Sequence, residues 1–272
     1  MLVDFWTYTC INWLRTLGYV RAWAEKYAGD GLVVVGVHTP EFPFEHDPEN
    51  VREAVREMRV SWPIVLDNDY RVWNAFANHY WPAVYIADAE GAIRHHQYGE
   101  GGYEECERAI QELLGVTDGL VSPSLDGFEV QADWSTLRSP ETYLGSQQAE
   151  NHVSGDGDLR RNQWTLEGDW SIEPRASVLR TGEGSIVFRF HARDVNLVLG
   201  PRERGAAVPF TVLLDGDPPG EAHGFDVDER GAGTLTQQRL HQLIRQHGPI
   251  EDRTVEIVFS EPGAEAYCFT FG

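Results

Sequence analysis

The chain has 272 residues, 42% of them hydrophobic, which favours one or two globular domains over a disordered chain. Its formal net charge of −21, from 22 basic and 43 acidic side chains, excludes a general binder of nucleic acids or anionic membranes, because both require a basic patch. No apolar run is long enough to span a bilayer, and three cysteines are too few for a disulfide scaffold.

The first half of the sequence alternates strand and helix patterns. MLVDFW predicts a buried strand, and CINWLRTLGYVRAWAEKY follows at helical spacing. The run GLVVVGVHT predicts a parallel strand buried on both faces, and DPENVREAVREMRV predicts a helix. After WPIVLD (strand) and YRVWNAFA (short helix) come a hairpin with its turn at Glu90–Gly91 and a closing helix that ends at Gly115. This order predicts an α/β domain with a mixed sheet.

The second half changes character. Residues 117–160 are rich in Ser, Gly, Asp and Pro, which predicts a linker and domain-packing segment between domains at 1–116 and 161–272. The last domain contains short alternating runs such as GSIVFRFHA, VPFTVLLDG and TVEIVFSE, separated by turn signals such as TGEG. This pattern predicts an all-β sandwich or jelly roll. The segment RLHQLIRQ fits either a helix or a strand.

Cys10 lies where the first buried strand ends and the first helix begins. The amide groups and dipole of a helix N-terminus favour an anion, so we expect a lowered thiol pKa and a nucleophilic thiolate. The alternative is a small buried hydrophobe, as most free cysteines are. Cys268 is predicted to be structural, and Cys106 either packs its helix or offers Cys10 an internal partner.

Two further residues are predicted to share the edge of the sheet with Cys10. Pro82 starts a strand in HYWPAVYI, and we predict a cis Trp81–Pro82 bond that presents backbone polar groups to a partner; a trans proline at a strand start is the alternative. Glu41 follows the central strand and is a candidate proton relay to the thiol, or a solvated loop residue.

These residues carry a specific resemblance to a known family. VDFWTYTCINW, VVGVHTPEF, DNDYRVWNAFANHYWPAVYIAD and SPETYLG in the first part, and NQWTLEGDWSI, FRFHARDVNLVLGP and AYCFTFG in the second, resemble the soluble region of the bacterial DipZ family. The resemblance covers essentially the whole chain. It implies a thioredoxin-like domain followed by a β-sandwich similar to carbohydrate-binding modules.

The resemblance also implies a function, namely extracytoplasmic thiol–disulfide exchange related to cytochrome c biogenesis. The expected partners are a thiol or disulfide protein substrate and an upstream reductant, such as the membrane electron-transfer domain that precedes this region in full-length family members. The chain itself has no secretory signal and opens inside a core strand, which indicates a trimmed start and leaves the cytoplasm open as a location.

The family's site residues carry over to most of the matching positions. Cys10 corresponds to the attacking thiol and Pro82 to the cis-proline. The residues predicted to contact a substrate are Trp6, Tyr8, Asn12 and Trp81.

The sequence departs from the family at one decisive position. The motif Cys-Ile-Asn-Cys reads Cys-Ile-Asn-Trp here, so Trp13 stands where the resolving cysteine belongs. In dithiol exchange the second thiol releases the substrate from the mixed disulfide, and an indole has no nucleophile for that step. We therefore expect monothiol or impaired turnover. Gly18 also replaces a proline that is usual in the family, within a helix where glycine costs about 1 kcal/mol relative to alanine.

Two other functions compete with disulfide exchange. A thiol peroxidase is suggested by Thr7, three residues before Cys10, although Val3 stands where that family has proline. A non-enzymatic envelope protein could bind a glycan or protein through the β-sandwich. Its candidate sugar-facing residues are the segment NQWTLEGDW and the aromatics Phe188, Phe190 and Phe210, although the core is the better assignment for these aromatics.

The sequence predicts no metal and no other cofactor. His95 and His96 are neighbours on a strand, so their side chains point to opposite faces and do not chelate together. His38 and His79 are expected near the same edge of the sheet, so a metal site is conceivable. It is the weaker alternative to histidines that have no shared ligand.

Overall fold

The structure, a computed structural model, describes residues 1–155 and 158–272. The chain divides into two compact units, Met1–Val130 and Gln131–Gly272. The segment predicted to link the domains, 117–160, is therefore shared between the two units. Its first part packs on the first helix, and its later part contributes a strand to the second unit.

The first unit contains five strands and four α-helices. In chain order these are β1 Leu2–Trp6, α1 Ile11–Lys26, β2 Val34–His38, α2 Pro48–Glu57, β3 Ile64–Leu66, α3 Arg71–Ala75, β4 Ala83–Ala87, β5 Ile93–Tyr98 and α4 Tyr103–Leu114. The sheet order is β3-β2-β1-β4-β5. Strands β1, β2 and β3 are parallel, whereas β4 and β5 are antiparallel to their neighbours. The predicted mixed sheet and thioredoxin-like fold are confirmed.

The central strand β1 sets the position of the site. All five of its residues are buried, because it has a strand on each side and packing on both faces. In the parallel register Trp6 lies opposite His38 and Phe5 opposite Val37. The carboxyl ends of β1 and β2 therefore meet the start of β4 at one edge of the sheet, and this edge carries Cys10.

A close approach explains Gly18, the expected weak position of α1. A Cβ atom at Gly18 would lie 2.6 Å from a side-chain carbon of Leu125 and 2.8 Å from a carboxylate oxygen of Glu129. Glu129 also accepts hydrogen bonds from Arg21 at 3.0 Å. The glycine thus lets the segment after α4 lie directly against α1, which offsets its cost to helix stability.

In its described residues, 131–155 and 158–272, the second unit is an antiparallel β-structure of nine strands. They are β6 Thr142–Tyr143, β7 Trp164–Ile172, β8 Ser177–Phe190, β9 Asp194–Pro201, β10 Val208–Leu214, β11 Ala232–Leu235, β12 Arg239–Arg245, β13 Arg253–Phe259 and β14 Ala264–Phe271. The main order is β11-β10-β13-β8-β14-β9-β12, with β6 on β14 and β7 on β8. The all-β prediction is confirmed, and the ambiguous RLHQLIRQ is strand β12.

One detail of the second unit differs from the prediction. The signal TGEG does not end a strand: β8 runs through it and absorbs the irregularity itself, because the register shifts at Gly168 and Asp169 of β7 skip Arg180, Gly182 and Glu183 of β8. The three candidate sugar-facing aromatics belong to the core, which is the assignment that the sequence favours. Phe188, Phe190 and Phe210 are at most 3% exposed, so they offer no face to a sugar.

Among the residues that the structure describes, no helix has the length and apolar character that a membrane crossing requires.

Candidate active site

Cys10 is the N-cap residue of α1. Its backbone is extended, and its carbonyl accepts the first helical hydrogen bond, from the Leu14 amide at 3.0 Å. The side chain is partly exposed, and the first turn of the helix carries no acidic residue. The strand-to-helix junction therefore leaves the thiol accessible beside amide groups that favour an anion.

The cis-proline loop lies directly against this thiol. The Trp81–Pro82 bond is cis, as predicted, and the Cys10 Sγ atom lies 3.6 Å from the Trp81 carbonyl oxygen. The Trp81 indole N–H donates to the carbonyl of Thr39 at 3.1 Å. This contact ties the loop before β4, which touches the thiol, to the loop after β2.

Trp13 lies in α1 three residues after Cys10. It is fully buried and stacks on Trp6, with ring centroids 4.4 Å apart and planes inclined by 29°. Its indole N–H donates to Oδ2 of Asp4 at 2.9 Å. The position of the resolving cysteine is thus occupied by a well-packed ring with a satisfied donor.

Asp4 is a site residue that the sequence reasoning missed. It lies in the middle of β1 and is fully buried. Burial raises the pKa of its carboxyl to about 7, and the hydrogen bond from Trp13 opposes that rise. Among the described residues its second oxygen, Oδ1, has no hydrogen-bond partner. The available signal was a lone carboxylate inside the otherwise apolar strand LVDFW.

The structure brings a different glutamate to the Cys10 loop from the one predicted. Glu45 is fully buried and accepts hydrogen bonds from the Thr9 hydroxyl at 2.6 Å and from the Glu41 and Phe42 amides at 2.6 and 2.9 Å. Burial raises the pKa of Glu45, and these donors oppose the rise. Glu41 contributes its backbone amide to this clamp, and the relay role of its half-exposed carboxylate stays a prediction.

The predicted substrate contacts separate by burial. Asn12 and Trp81 are partly exposed next to Cys10, where a substrate can reach them. Trp6 and Tyr8 are fully or almost fully buried, so their predicted contact with a substrate is corrected: they support the Cys10 loop from inside. Both rings pack against His38, with centroids 4.9 and 5.8 Å from its imidazole.

His38 is a buried imidazole at the end of β2. Neither ring nitrogen has a hydrogen-bond partner among the described residues. Burial lowers its pKa to about 3. The side chain is therefore a neutral packing group at ordinary pH.

The other two cysteines, Cys106 and Cys268, are buried. Cys106 lies 3.5 Å from Nε2 of His95, and burial raises the pKa of its thiol to about 12. A thiol with so high a pKa is not a nucleophile near neutrality, so its role is packing. His96, on the other face of β5, lies against Tyr98, which confirms that the two histidines point apart.

Comparisons with known proteins fit this site. The family described as "Thioredoxin like C-terminal domain" matches residues 139–272. Protein DipZ of Mycobacterium bovis is 34% identical over an alignment of 232 positions, which covers 80% of this chain and 33% of that protein. The thiol-disulfide oxidoreductase YkuV of Bacillus subtilis is 33% identical over 117 residues, which are 43% of this chain and 78% of that protein. The chain belongs to the DipZ family of thioredoxin-like proteins.

The match to YkuV gives the first unit the general character of a thiol–disulfide oxidoreductase-like thioredoxin fold. The match to the mycobacterial DipZ proteins extends into the second unit, whereas the match to YkuV covers less than half of the chain. The chain spans about a third of the length of the DipZ proteins it matches.

Proposed function

We propose that the first unit exchanges disulfides by a single-thiol mechanism at Cys10. The observation that carries this proposal is the buried Trp13, which occupies the resolving position and donates to Asp4. The partly exposed Cys10 keeps its place at the helix N-terminus and the cis-proline loop. The site therefore retains a nucleophile and a substrate-facing backbone but no second thiol.

The exchange takes place in two steps. The Cys10 thiolate attacks one sulfur of a substrate disulfide, a new S–S bond forms, and the other substrate sulfur leaves as a thiolate. A small external thiol then attacks the mixed disulfide as its thiolate, which releases Cys10 and leaves the thiol joined to the substrate. Each step exchanges one disulfide for another, so no further oxidant or reductant is consumed.

Intact-mass measurement after incubation with a small aromatic disulfide tests this proposal. We expect one adduct on the native chain at neutral pH, its persistence until a thiol is added, and its absence in Cys10→Ser. Cys106→Ser is the matched control and keeps the adduct, because its thiol is buried. A native chain that forms no adduct at Cys10 would overturn the proposal.

The compartment and the partners belong to the same proposal. We place the exchange in the cell envelope, where disulfides persist, with a protein thiol or disulfide as substrate and a membrane-bound reductant upstream. Family resemblance supports this placement. Fractionation of cells that express the native gene tests it, since recovery in the cytoplasm alone would contradict it.

A further inference from the structure

An exposed aromatic surface begins one residue from the loop that touches the Cys10 thiol. Tyr80 is 52% exposed and Tyr98 is 42% exposed, with ring centroids 5.1 Å apart. The exposed His96 lies 4.7 Å from the Tyr98 ring. We call Tyr80, His96 and Tyr98 the aromatic strip.

The aromatic strip is held in place by buried groups. The side chain of Asn78, itself 1% exposed, donates to the Tyr80 carbonyl at 3.0 Å and accepts from the Tyr85 hydroxyl at 3.1 Å. The Tyr85 ring is buried and makes an edge contact with Tyr98 at 5.9 Å. The strip is therefore a preorganised surface, so the binding of a ligand costs little entropy for ordering these side chains.

The strip is continuous with the place where a substrate would be attached. Tyr98 pairs with Ala83 across β4 and β5, and Tyr80 precedes Trp81, whose carbonyl lies 3.6 Å from the Cys10 sulfur. Because an extended chain advances about 3.3 Å per residue, a polypeptide bonded to Cys10 reaches the strip within two or three residues.

We propose that the aromatic strip binds an aromatic side chain of an extended substrate polypeptide, two or three residues from the cysteine that reacts with Cys10. This inference rests on the proposed function. The tilted rings of the strip present faces and edges that suit an aromatic side chain. The net charge of −21 disfavours acidic segments, which makes a neutral or basic polypeptide the fitting occupant.

Activated peptides test the proposal. Each peptide carries one cysteine joined by a disulfide to a chromogenic thiol, with Trp or Ser two residues before or after it. Attack by Cys10 forms the peptide–Cys10 disulfide and releases the chromogenic thiolate, which gives the rate. We expect a Trp peptide to react about 10-fold faster than its Ser counterpart. In the double variant Tyr80→Ala with Tyr98→Ala that ratio should fall to about one.

Three controls keep the outcomes distinct. Ile93→Ala removes an equally exposed side chain at the other end of β5 and should keep the preference. Far-ultraviolet circular dichroism checks that the double variant is folded, and Tyr80→Ser alone supplies a milder change that should lower the ratio part of the way. The symmetrical chromogenic disulfide, which has no peptide, measures the reactivity of Cys10 alone.

The results separate this inference from the proposed function. Equal rates for Trp and Ser peptides, with normal reaction of the symmetrical disulfide, would overturn only the docking role of the strip. A preference that survives in the double variant would do the same. A concentration-dependent dimer that the double variant abolishes would identify a second copy as the occupant and overturn it as well. Failure of the symmetrical disulfide to react would overturn the proposed function.

Discussion

Asp4 and Glu45 are both buried carboxyl groups that contact residues on either side of Cys10, yet their surroundings differ. Glu45 has three hydrogen-bond donors that tie the Thr9 loop to the loop after β2. Asp4 has one donor, the Trp13 indole, and a second oxygen without a partner among the described residues. Glu45 is thus built into the frame of the site, whereas Asp4 is satisfied only in part. The difference indicates that burial alone does not identify a functional carboxylate. A carboxylate whose oxygens are all hydrogen-bonded supports the structure, whereas one with an unpaired oxygen can still accept a proton.

The largest change in activity is expected when the resolving thiol is restored next to Asp4. Trp13→Cys should raise the rate of insulin-disulfide reduction by about 100-fold or more, because the second step becomes intramolecular. Removal of the indole also opens space beside Asp4, whose carboxylate can then accept the thiol proton through water. Insulin turbidity with a thiol reductant measures the gain.

Two variants complete this experiment. Trp13→Ser makes the same cavity without a nucleophile and should show no gain. Asp4→Asn in the Trp13→Cys background should lower the new rate by about 10-fold. A gain in Trp13→Ser equal to that of Trp13→Cys would contradict the assignment.

Removal of the Glu45 carboxylate should lower the stability of the fold. Glu45→Ala leaves the Thr9 hydroxyl and two backbone amides without their acceptor, and each buried unsatisfied group costs about 1–3 kcal/mol. We expect the free energy of unfolding to fall by about 3 kcal/mol or more in urea titrations. The exposed Glu57→Ala is the matched control and should stay within about 0.5 kcal/mol.

The contrast should also appear in the pH dependence of stability. The pKa of Asp4 is about 7 in the folded chain and 3.8 for a solvated aspartate, so between these values the folded chain binds more protons than the unfolded chain. Its free energy of unfolding therefore falls as pH rises through this window. Asp4→Asn removes this dependence, so the variant should gain about 2 kcal/mol over the native chain between pH 5 and pH 7.

His38 supplies a control of opposite sign. Its pKa is about 3 in the folded chain and 6.5 for a solvated histidine, so the unfolded chain binds the extra proton and stability falls as pH drops below about 6.5. His38→Phe should therefore gain relative stability toward low pH, where Asp4→Asn loses its advantage. Chemical unfolding at several pH values measures both slopes, and parallel slopes for the two variants would contradict the assignment.

The smallest effect is expected from deleting the single donor to Asp4. Trp13→Phe keeps an aromatic ring in the stack but removes the indole N–H. Because that bond favours the ionised carboxylate, its loss should raise the pKa of Asp4 further, by up to about one unit. Carbon-detected NMR titration of the Asp4 carboxyl measures the shift, and a lowered pKa would contradict the role of the donor.

Local sequence patterns were enough to predict the elements that position Cys10. A strand that ends at Cys10, a helix that begins there and a proline at a strand start are each visible in a short segment of sequence. The Asp4–Trp13 contact is different, because it depends on the direction in which a helix side chain points back onto a strand nine residues earlier. Glu45 was missed for the same reason, since a neighbouring glutamate in the same loop is equally plausible without the packing.

The second unit shows the same limit in its strands. The alternation of apolar residues predicts most strands correctly, because each has one face in the core. The glycine-containing TGEG resembles a turn, yet β7 stays paired with β8 on both sides of it. The strand continues through TGEG because it is paired with β7, and the local sequence of one strand does not show which strand it will pair with.

The stack of Trp6 on Trp13 makes the site a natural chromophore pair. Two indoles with centroids 4.4 Å apart are close enough for their electronic transitions to couple, and both are rigid and fully buried. Near-ultraviolet circular dichroism should therefore contain a coupled-indole band from this pair. The difference spectrum of Trp13→Phe separates it from the signal of Trp73 and Trp81, whose centroids are 4.3 Å apart. Loss of that band would mark opening of the site in solution, without any added dye or label.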